Sequence, residues 1–228
     1  MNWIVNNGDL IGQLVVAHLV TAIPPIILSF FLSIPIGWFA NRFQVSRGIL
    51  LTVFALLYAI PSLPLFIVLP LIIGTGLRDP INVVIALTIY GIALMARSTA
   101  DGLASVDPDV RQAATAVGYS ARSSFWRVEL PLAGPVLLAG IRVVAVSTIS
   151  LTTVGAVLGI DSLGALFTDG YQRNIPSEIL TGIVVTIALA LAVDFLIVRI
   201  GRLLMPWSRI VGAGAGRSAR RQRTAAPA

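Results

Sequence analysis

The sequence predicts an all-α integral membrane protein, a polytopic bundle of five transmembrane helices with six as the alternative. The first observation is composition: of 228 residues, 57% are hydrophobic and 11% charged, with a mean hydropathy of +0.92. A soluble domain has roughly 45–50% apolar and about 25% charged residues, so this chain has more apolar surface than a soluble core can bury. The other observations are a set of long apolar stretches and an uneven distribution of arginine.

Five apolar stretches are long enough to cross about 30 Å of hydrocarbon at about 1.5 Å per residue. They cover approximately residues 15–40, 49–74, 81–98, 134–158 and 178–200. The second contains Pro61, Pro64 and Pro70, so it is either one broken helix or two shorter spans. This ambiguity decides between five spans and six.

The arginines indicate the orientation. All sixteen basic residues are arginine, and an external N-terminus places thirteen of them on the cytoplasmic side. Only Arg78 and Arg173 then lie outside, and Arg142 lies inside the fourth span. Cytoplasmic loops carry an excess of positive charge, so we expect the N-terminus outside and the C-terminus in the cytoplasm.

Composition also excludes several classes of site. The chain has no cysteine and one histidine, so thiolate metal sites and disulfides are excluded, and we expect no metal site and no catalytic residues. Without lysine it cannot form a Walker A loop of its own. We interpret His18 as a residue at a helix end and not as a ligand.

The segment between the third and fourth spans, about residues 99–133, is polar by the standards of this chain. Asp107 is a good N-cap, Pro108 suits the first helical position, and Asp109 suits the first turn. The helix should end at Gly118, and Ser120 can start a second short helix that runs towards Pro131. Two short helices at the membrane face are therefore predicted.

Apolar side chains in this segment indicate a contact surface. We expect Tyr119, Phe125, Trp126 and Leu130 to be exposed, and such residues mark a protein contact. The alternative is that these aromatic side chains lie in the headgroup layer and contact only lipid.

Spacing in the same segment carries a family resemblance. Gln112-Ala113-Ala114, then Gly118, then Val128-Glu129-Leu130-Pro131 resembles the EAA loop of permease subunits of bacterial binding-protein-dependent ABC importers. The departures are Gln112 for the usual glutamate and Val128 for the usual isoleucine. The resemblance implies a type I importer permease in the bacterial plasma membrane, whose loop couples to a separate ATPase. The residues that it implies for coupling are Gln112, Ala113, Ala114, Gly118, Tyr119, Ser120, Leu130 and Pro131.

The flanking sequence is similar to the osmoprotectant branch of these permeases, whose solutes are glycine betaine, choline, carnitine and proline. The similar stretches are 106–108, 128–135 and 139–142, together with Asp194 in the last span; 161–164 departs from the branch's glycine-rich segment. The resemblance implies two ATPase subunits that carry ATP and Mg, a second permease, an extracytoplasmic binding protein and no cofactor in this chain. The alternatives are a permease for another small solute such as methionine and a secondary transporter.

Polar residues inside the spans suggest further sites. An unpaired arginine in a span costs about 2.5–3.5 kcal/mol, so we expect Arg142 to pair, with Arg97 and Asp194 at one depth, either as a gate or as a static contact. Hydroxyl and tyrosine side chains could line a translocation path or simply pack. These candidates are Tyr58, Ser62, Tyr90, Ser147, Thr148 and Thr152.

The last part of the chain differs from the rest. We expect the membrane domain to cover residues 1–206, and the Gly-, Ala- and Arg-rich residues 207–228 to form a disordered cytoplasmic tail.

Overall fold

The computed structural model describes residue 3 and residues 6–207, without the side chains of residues 44–46. Across this part the backbone is helical and has no strand. The α-helices are α1 (Gly8–Arg42), α2 (Gln44–Ala59), α3 (Ser62–Ile73), α4 (Pro80–Ala104), α5 (Pro108–Ala116), α6 (Ala121–Ser124), α7 (Leu130–Thr152), α8 (Ala165–Gln172) and α9 (Pro176–Leu204). The predicted tail lies outside the described residues except for Trp207.

Helix length confirms the predicted all-α membrane architecture. In the described part, four helical segments are long and apolar enough to span a membrane: α1, α4, residues 121–158 and α9. Helices α2 and α3 have 16 and 12 residues, about 24 and 18 Å, so neither alone crosses about 30 Å of hydrocarbon. Among the described residues there are thus five spans when the pair is counted as one broken span, or four when it is a re-entrant loop, and not six.

The break between α2 and α3 is a bend of 100°. Ile60 and Pro61 are both extended, and the proline cannot donate to the preceding turn. The Tyr90 hydroxyl donates to the Ile60 carbonyl oxygen at 2.6 Å, and the Tyr58 ring packs edge-on against Tyr90 at 5.8 Å. Tyr90 therefore satisfies a carbonyl that the break frees.

Helix α4 is the centre of the bundle and packs against α1, α2, α3 and α7. Its closest neighbour is α1, and glycines allow the approach. A Cβ atom on Gly91 would lie 2.6 Å from Ser29 Cβ, and one on Gly37 would lie 2.5 Å from Thr99 Cγ2. The two helices are thus closely packed at these two points.

His18 lies inside α1, ten residues after the helix begins, so its interpretation as a helix-end residue is wrong. The side chain is fully buried. Its Nδ1 accepts from the Leu163 amide at 3.3 Å, which leaves the proton on Nε2 for donation to the Ile149 carbonyl at 3.1 Å. His18 ties α1 to the end of α7 and to the segment before α8.

Replacing Gly91 with alanine should destabilise the protein by about 1–3 kcal/mol, because the methyl group meets Ser29 in a packed interface. Thermal unfolding and folded yield in detergent measure the effect. Gly12→Ala is the matched control, since its methyl group meets nothing within 4 Å and gains the same helix propensity. Equal unfolding temperatures for the two variants would contradict the α1–α4 contact.

Candidate functional site

The predicted caps of the polar loop are confirmed. Asp107 Oδ1 accepts from the Asp109 amide at 2.9 Å, Pro108 occupies the first helical position, and α5 follows. Ser120 Oγ accepts from the Ser123 amide at 3.3 Å and starts α6. The backbone donors at each helix start are thereby partly satisfied, as the sequence predicts.

Helix α5 ends in a Schellman motif at Gly118. The Tyr119 amide bonds to the Ala114 carbonyl at 3.0 Å, and the Gly118 amide bonds to the Thr115 carbonyl at 3.0 Å. Gly118 has φ +91°, a left-handed conformation that other residues rarely adopt. A Cβ atom there would meet nothing within 4 Å, so the turn projects into open space.

The second half of the loop differs from the prediction. Helix α6 is not a separate short helix, because a π-helical turn, Phe125–Glu129, joins it directly to α7. The Leu130 amide bonds to the Phe125 carbonyl, which widens the turn just before Pro131 and accommodates a ring that would clash in a regular helix. Since α4 also continues to Ala104, only about residues 105–120 lie outside the long helices.

Charged side chains brace this loop against the spans. The guanidinium of Arg111 on α5 donates to the Leu103 carbonyl near the end of α4, and its Nε lies 3.6 Å from Glu129 Oε2. Ser124 Oγ lies 3.4 Å from the other oxygen of Glu129. One arginine thus connects α4, α5 and the π-helical turn, a connection that sequence reasoning missed.

The predicted coupling residues do not all face outward. Gln112, Ala113, Gly118 and Ser120 are exposed, Tyr119, Leu130 and Pro131 are half-buried, and Ala114 is buried. Phe125, expected to be exposed, is a core residue that packs edge-on against Trp38 at 6.2 Å. The π-helical turn rotates it inward while Trp126 remains 55% exposed.

Two exposed valines extend the loop's surface. Val110 and Val117 are 38% and 74% exposed, and with Ala113 they follow the i, i+3, i+7 spacing of one helix face. This spacing was a readable signal for an apolar contact. The outward surface of the loop thus combines the α5 face with the Gly118 turn and Trp126.

The structure brings Arg142 and Asp194 together. Arg142 Nε lies 2.7 Å from Oδ1 and its Nη2 lies 2.9 Å from Oδ2, a bidentate pair between α7 and α9. Arg97 does not join them. It lies 3.8 Å from Asp101, one turn further along α4, and the Asp101 carboxylate also binds Arg47 at 2.7 Å. A partner on its own helix is nearer to Arg97 than any on α9.

The candidate path residues fall into two groups. Tyr58, Ser62 and Tyr90 lie at or beside the α2–α3 bend, where Tyr90 is buried. Thr148 and Thr152 are buried inside the bundle, and Thr152 Oγ1 donates to the Thr148 carbonyl at 2.8 Å.

Ser147 is half-buried, whereas Ser150 is the exposed hydroxyl of this helix. The candidate path residues Thr148 and Thr152 therefore pack within one subunit.

Residues 33–210 match the family described as binding-protein-dependent transport system inner membrane component. The osmoprotectant import permease protein OsmW of Salmonella typhimurium is 28% identical over 213 residues, covering 90% of this chain and 97% of that protein. The choline transport system permease protein OpuBB of Bacillus subtilis is 25% identical over 201 residues, covering 88% of this chain and 91% of that protein.

A third relative is much longer. The ergothioneine transport permease/ergothioneine binding protein EgtU of Helicobacter pylori is 34% identical over 147 residues, which cover 64% of this chain and 26% of that protein. Among solved structures, an inward-facing methionine ABC transporter matches with a TM-score of 0.75 and 20% identity, covering 87% of this chain and 98% of that one. At that identity the likeness shows the fold alone. The chain belongs to the family of binding-protein-dependent transport system inner membrane components, and it is a permease subunit of an ABC importer.

Proposed function

We propose that this permease takes up a small osmoprotectant such as glycine betaine, choline, carnitine or proline. The observation that carries the proposal is the similarity, over about nine-tenths of the chain, to permeases named for osmoprotectant and choline transport. Methionine is the weaker candidate, because the methionine transporter resembles this chain in fold only. Uptake of each solute by the reconstituted complex tests the choice.

The coupling role rests on the loop. A short capped helix, an exposed turn at Gly118 and a brace from Arg111 to two long helices form a rigid projection. We infer that it seats in a groove of a separate ATPase subunit, which supplies ATP and Mg and performs the hydrolysis. Movement of the ATPase then displaces the loop and the helices attached to it, which alternates access to the solute path.

The proposed assembly has two permease subunits, two ATPase subunits and an extracytoplasmic binding protein. Five spans are too few to enclose a solute path readily, so a second permease, identical or homologous, is required.

The charge distribution supports an orientation in the bacterial plasma membrane. Contacts of Gly37 with Thr99 and of Gly134 with Met205 place the ends of α1 and α9 at the same end of the bundle as the loop. Described arginines at that end are Arg42, Arg47, Arg97, Arg111, Arg122, Arg127, Arg199 and Arg202. Only Arg78 and Arg173 lie towards the other end, so we place the loop and the C-terminus in the cytoplasm.

Gly118→Asp should abolish solute uptake and reduce co-purification of the ATPase, because a charged side chain would project from the turn into the partner surface. Membrane insertion should be unchanged, since the residue lies outside every span. Gly76→Asp is the control, because a Cβ atom there also meets nothing within 4 Å and the residue lies towards the end opposite the loop. Wild-type uptake by Gly118→Asp would refute this loop as the coupling surface.

Orientation is testable because the chain has no cysteine. The test uses cells with a permeable outer layer and an intact plasma membrane. A membrane-impermeant thiol reagent should label Tyr171→Cys, which is 81% exposed at the end opposite the loop. Val117→Cys, 74% exposed on the loop, should react only after the membrane is opened. The reverse pattern would show that the loop faces outward.

A further inference from the structure

One exposed face of α7 carries two polar residues, Arg142 and Ser150, among valines. Arg142, Val146 and Ser150 follow one another at i+4 spacing, so they lie on one face of the helix, and Val146 is 45% exposed. Ser150 is exposed, and Thr153 continues the same face as a half-buried residue. We call these four residues and Asp194 the polar stripe.

The ion pair of the stripe lies well inside both helices, and the rest of the stripe runs from it towards the end opposite the loop. Arg142 is twelve residues after the start of α7 and ten before its end, about 18 and 15 Å along the axis. Asp194 is ten residues before the end of α9, again about 15 Å. The ion pair is therefore far from both ends of the helices.

Despite this depth, the pair is open to the outside of the subunit. The Arg142 side chain is 47% exposed and that of Asp194 is 20% exposed. The exposed residues of α1 from Val16 to Phe39 are all apolar, which suits contact with lipid. Charged groups within spans face a bundle interior or a water-filled cavity, so the polar stripe does not fit a lipid-facing surface.

The pair also has unused capacity for hydrogen bonding. The Asp194 carboxylate accepts hydrogen bonds from Nε and Nη2 of Arg142. Within the described part of the chain no other group bonds to the guanidinium. Its remaining edge can donate to a second carboxylate. The Asp194 carboxylate beside it presents negative charge to a cation.

We propose that the polar stripe lines the solute path and that the Arg142–Asp194 pair is a contact site for a zwitterionic solute with a quaternary ammonium group and a carboxylate. The solute carboxylate binds the free edge of Arg142, and the ammonium group lies towards Asp194. This inference rests on the proposed function. Glycine betaine and carnitine have both charges, whereas choline has only the cation.

Cysteine accessibility tests the first half of the proposal. In the reconstituted complex, Val146→Cys and Ser150→Cys should react with a charged, water-soluble thiol reagent, and saturating loaded binding protein with ATP should change the rate of labelling. Leu196→Cys is the matched control. It is 57% exposed and at the depth of Asp194, but about 200° away around α9, so it should not react. Absence of labelling on the stripe in every transport state would overturn the proposal and assign this face to lipid or to a dry contact with the second permease.

Solute discrimination tests the second half. In Arg142→Gln, maximal uptake of glycine betaine at saturating loaded binding protein should fall about tenfold more than uptake of choline, because only glycine betaine loses a charge-assisted bond. Arg142→Gln combined with Asp194→Asn provides a folded background, since it leaves no unpaired charge in the span. In this double variant, uptake of glycine betaine should again fall more than uptake of choline.

The control for discrimination is Arg173→Gln, which breaks an exposed pair with Asp169 towards the other end of the bundle and should leave the ratio of the two uptake rates unchanged. Equal changes for both solutes in each Arg142 and Asp194 variant would show a purely structural pair and overturn the solute contact. If the wild-type complex transports neither solute while the stripe is still labelled, the proposed substrate class fails but the path-lining surface stands.

Discussion

Inside hydrocarbon, a carbonyl or a charge that lacks a protein partner has no water to replace it, and the irregular parts of this bundle satisfy that constraint. Tyr90 bonds to the carbonyl freed at the α2–α3 bend. His18 binds the Ile149 carbonyl near the end of α7 and the Leu163 amide in the segment before α8. Arg142 and Asp194 neutralise each other between α7 and α9, although their side chains are 47% and 20% exposed at the surface of the subunit. The bend and the segment before α8 each bond to a polar group supplied by another helix.

The same dependence explains why α4 is central. It packs against four other helices, supplies Tyr90 to the bend, and ends where Arg111 bonds to the Leu103 carbonyl. The close α1–α4 contact through Gly37 and Gly91 leaves little freedom for the two helices to slide. Motion between states is therefore expected at the elements attached less tightly to this pair, above all at α9.

Local rules predicted much of this protein from its sequence. Asp107, Gly118 and Ser120 set the loop's helix ends through short-range hydrogen bonds, and these follow from residue type and spacing. The cost of an unpaired arginine in a span predicted that Arg142 would pair, and Asp194 is one of few carboxylates available in the spans. By contrast, the π-helical turn and the burial of Phe125 depend on how α7 begins against α1, which spacing does not reveal. Arg97 has a nearer partner, Asp101, on its own helix. The packing that buries Thr148 and Thr152 is a tertiary property, which spacing does not reveal.

One continuous element joins the loop to the middle of the bundle. The helical segment over residues 121–158 begins beside Gly118, passes through the π-helical turn and carries Arg142 at mid-depth. A helix transmits displacement along its axis, and the Arg111–Glu129 ion pair, at 3.6 Å, connects its first turns to α5. In the proposed mechanism, a push on the loop moves the polar stripe of α7 relative to Asp194 on α9. The bidentate geometry tolerates little displacement, because both hydrogen bonds need the guanidinium and carboxylate planes aligned. In that mechanism, the ion pair is the point where a movement that starts at the loop changes the contacts between α7 and α9.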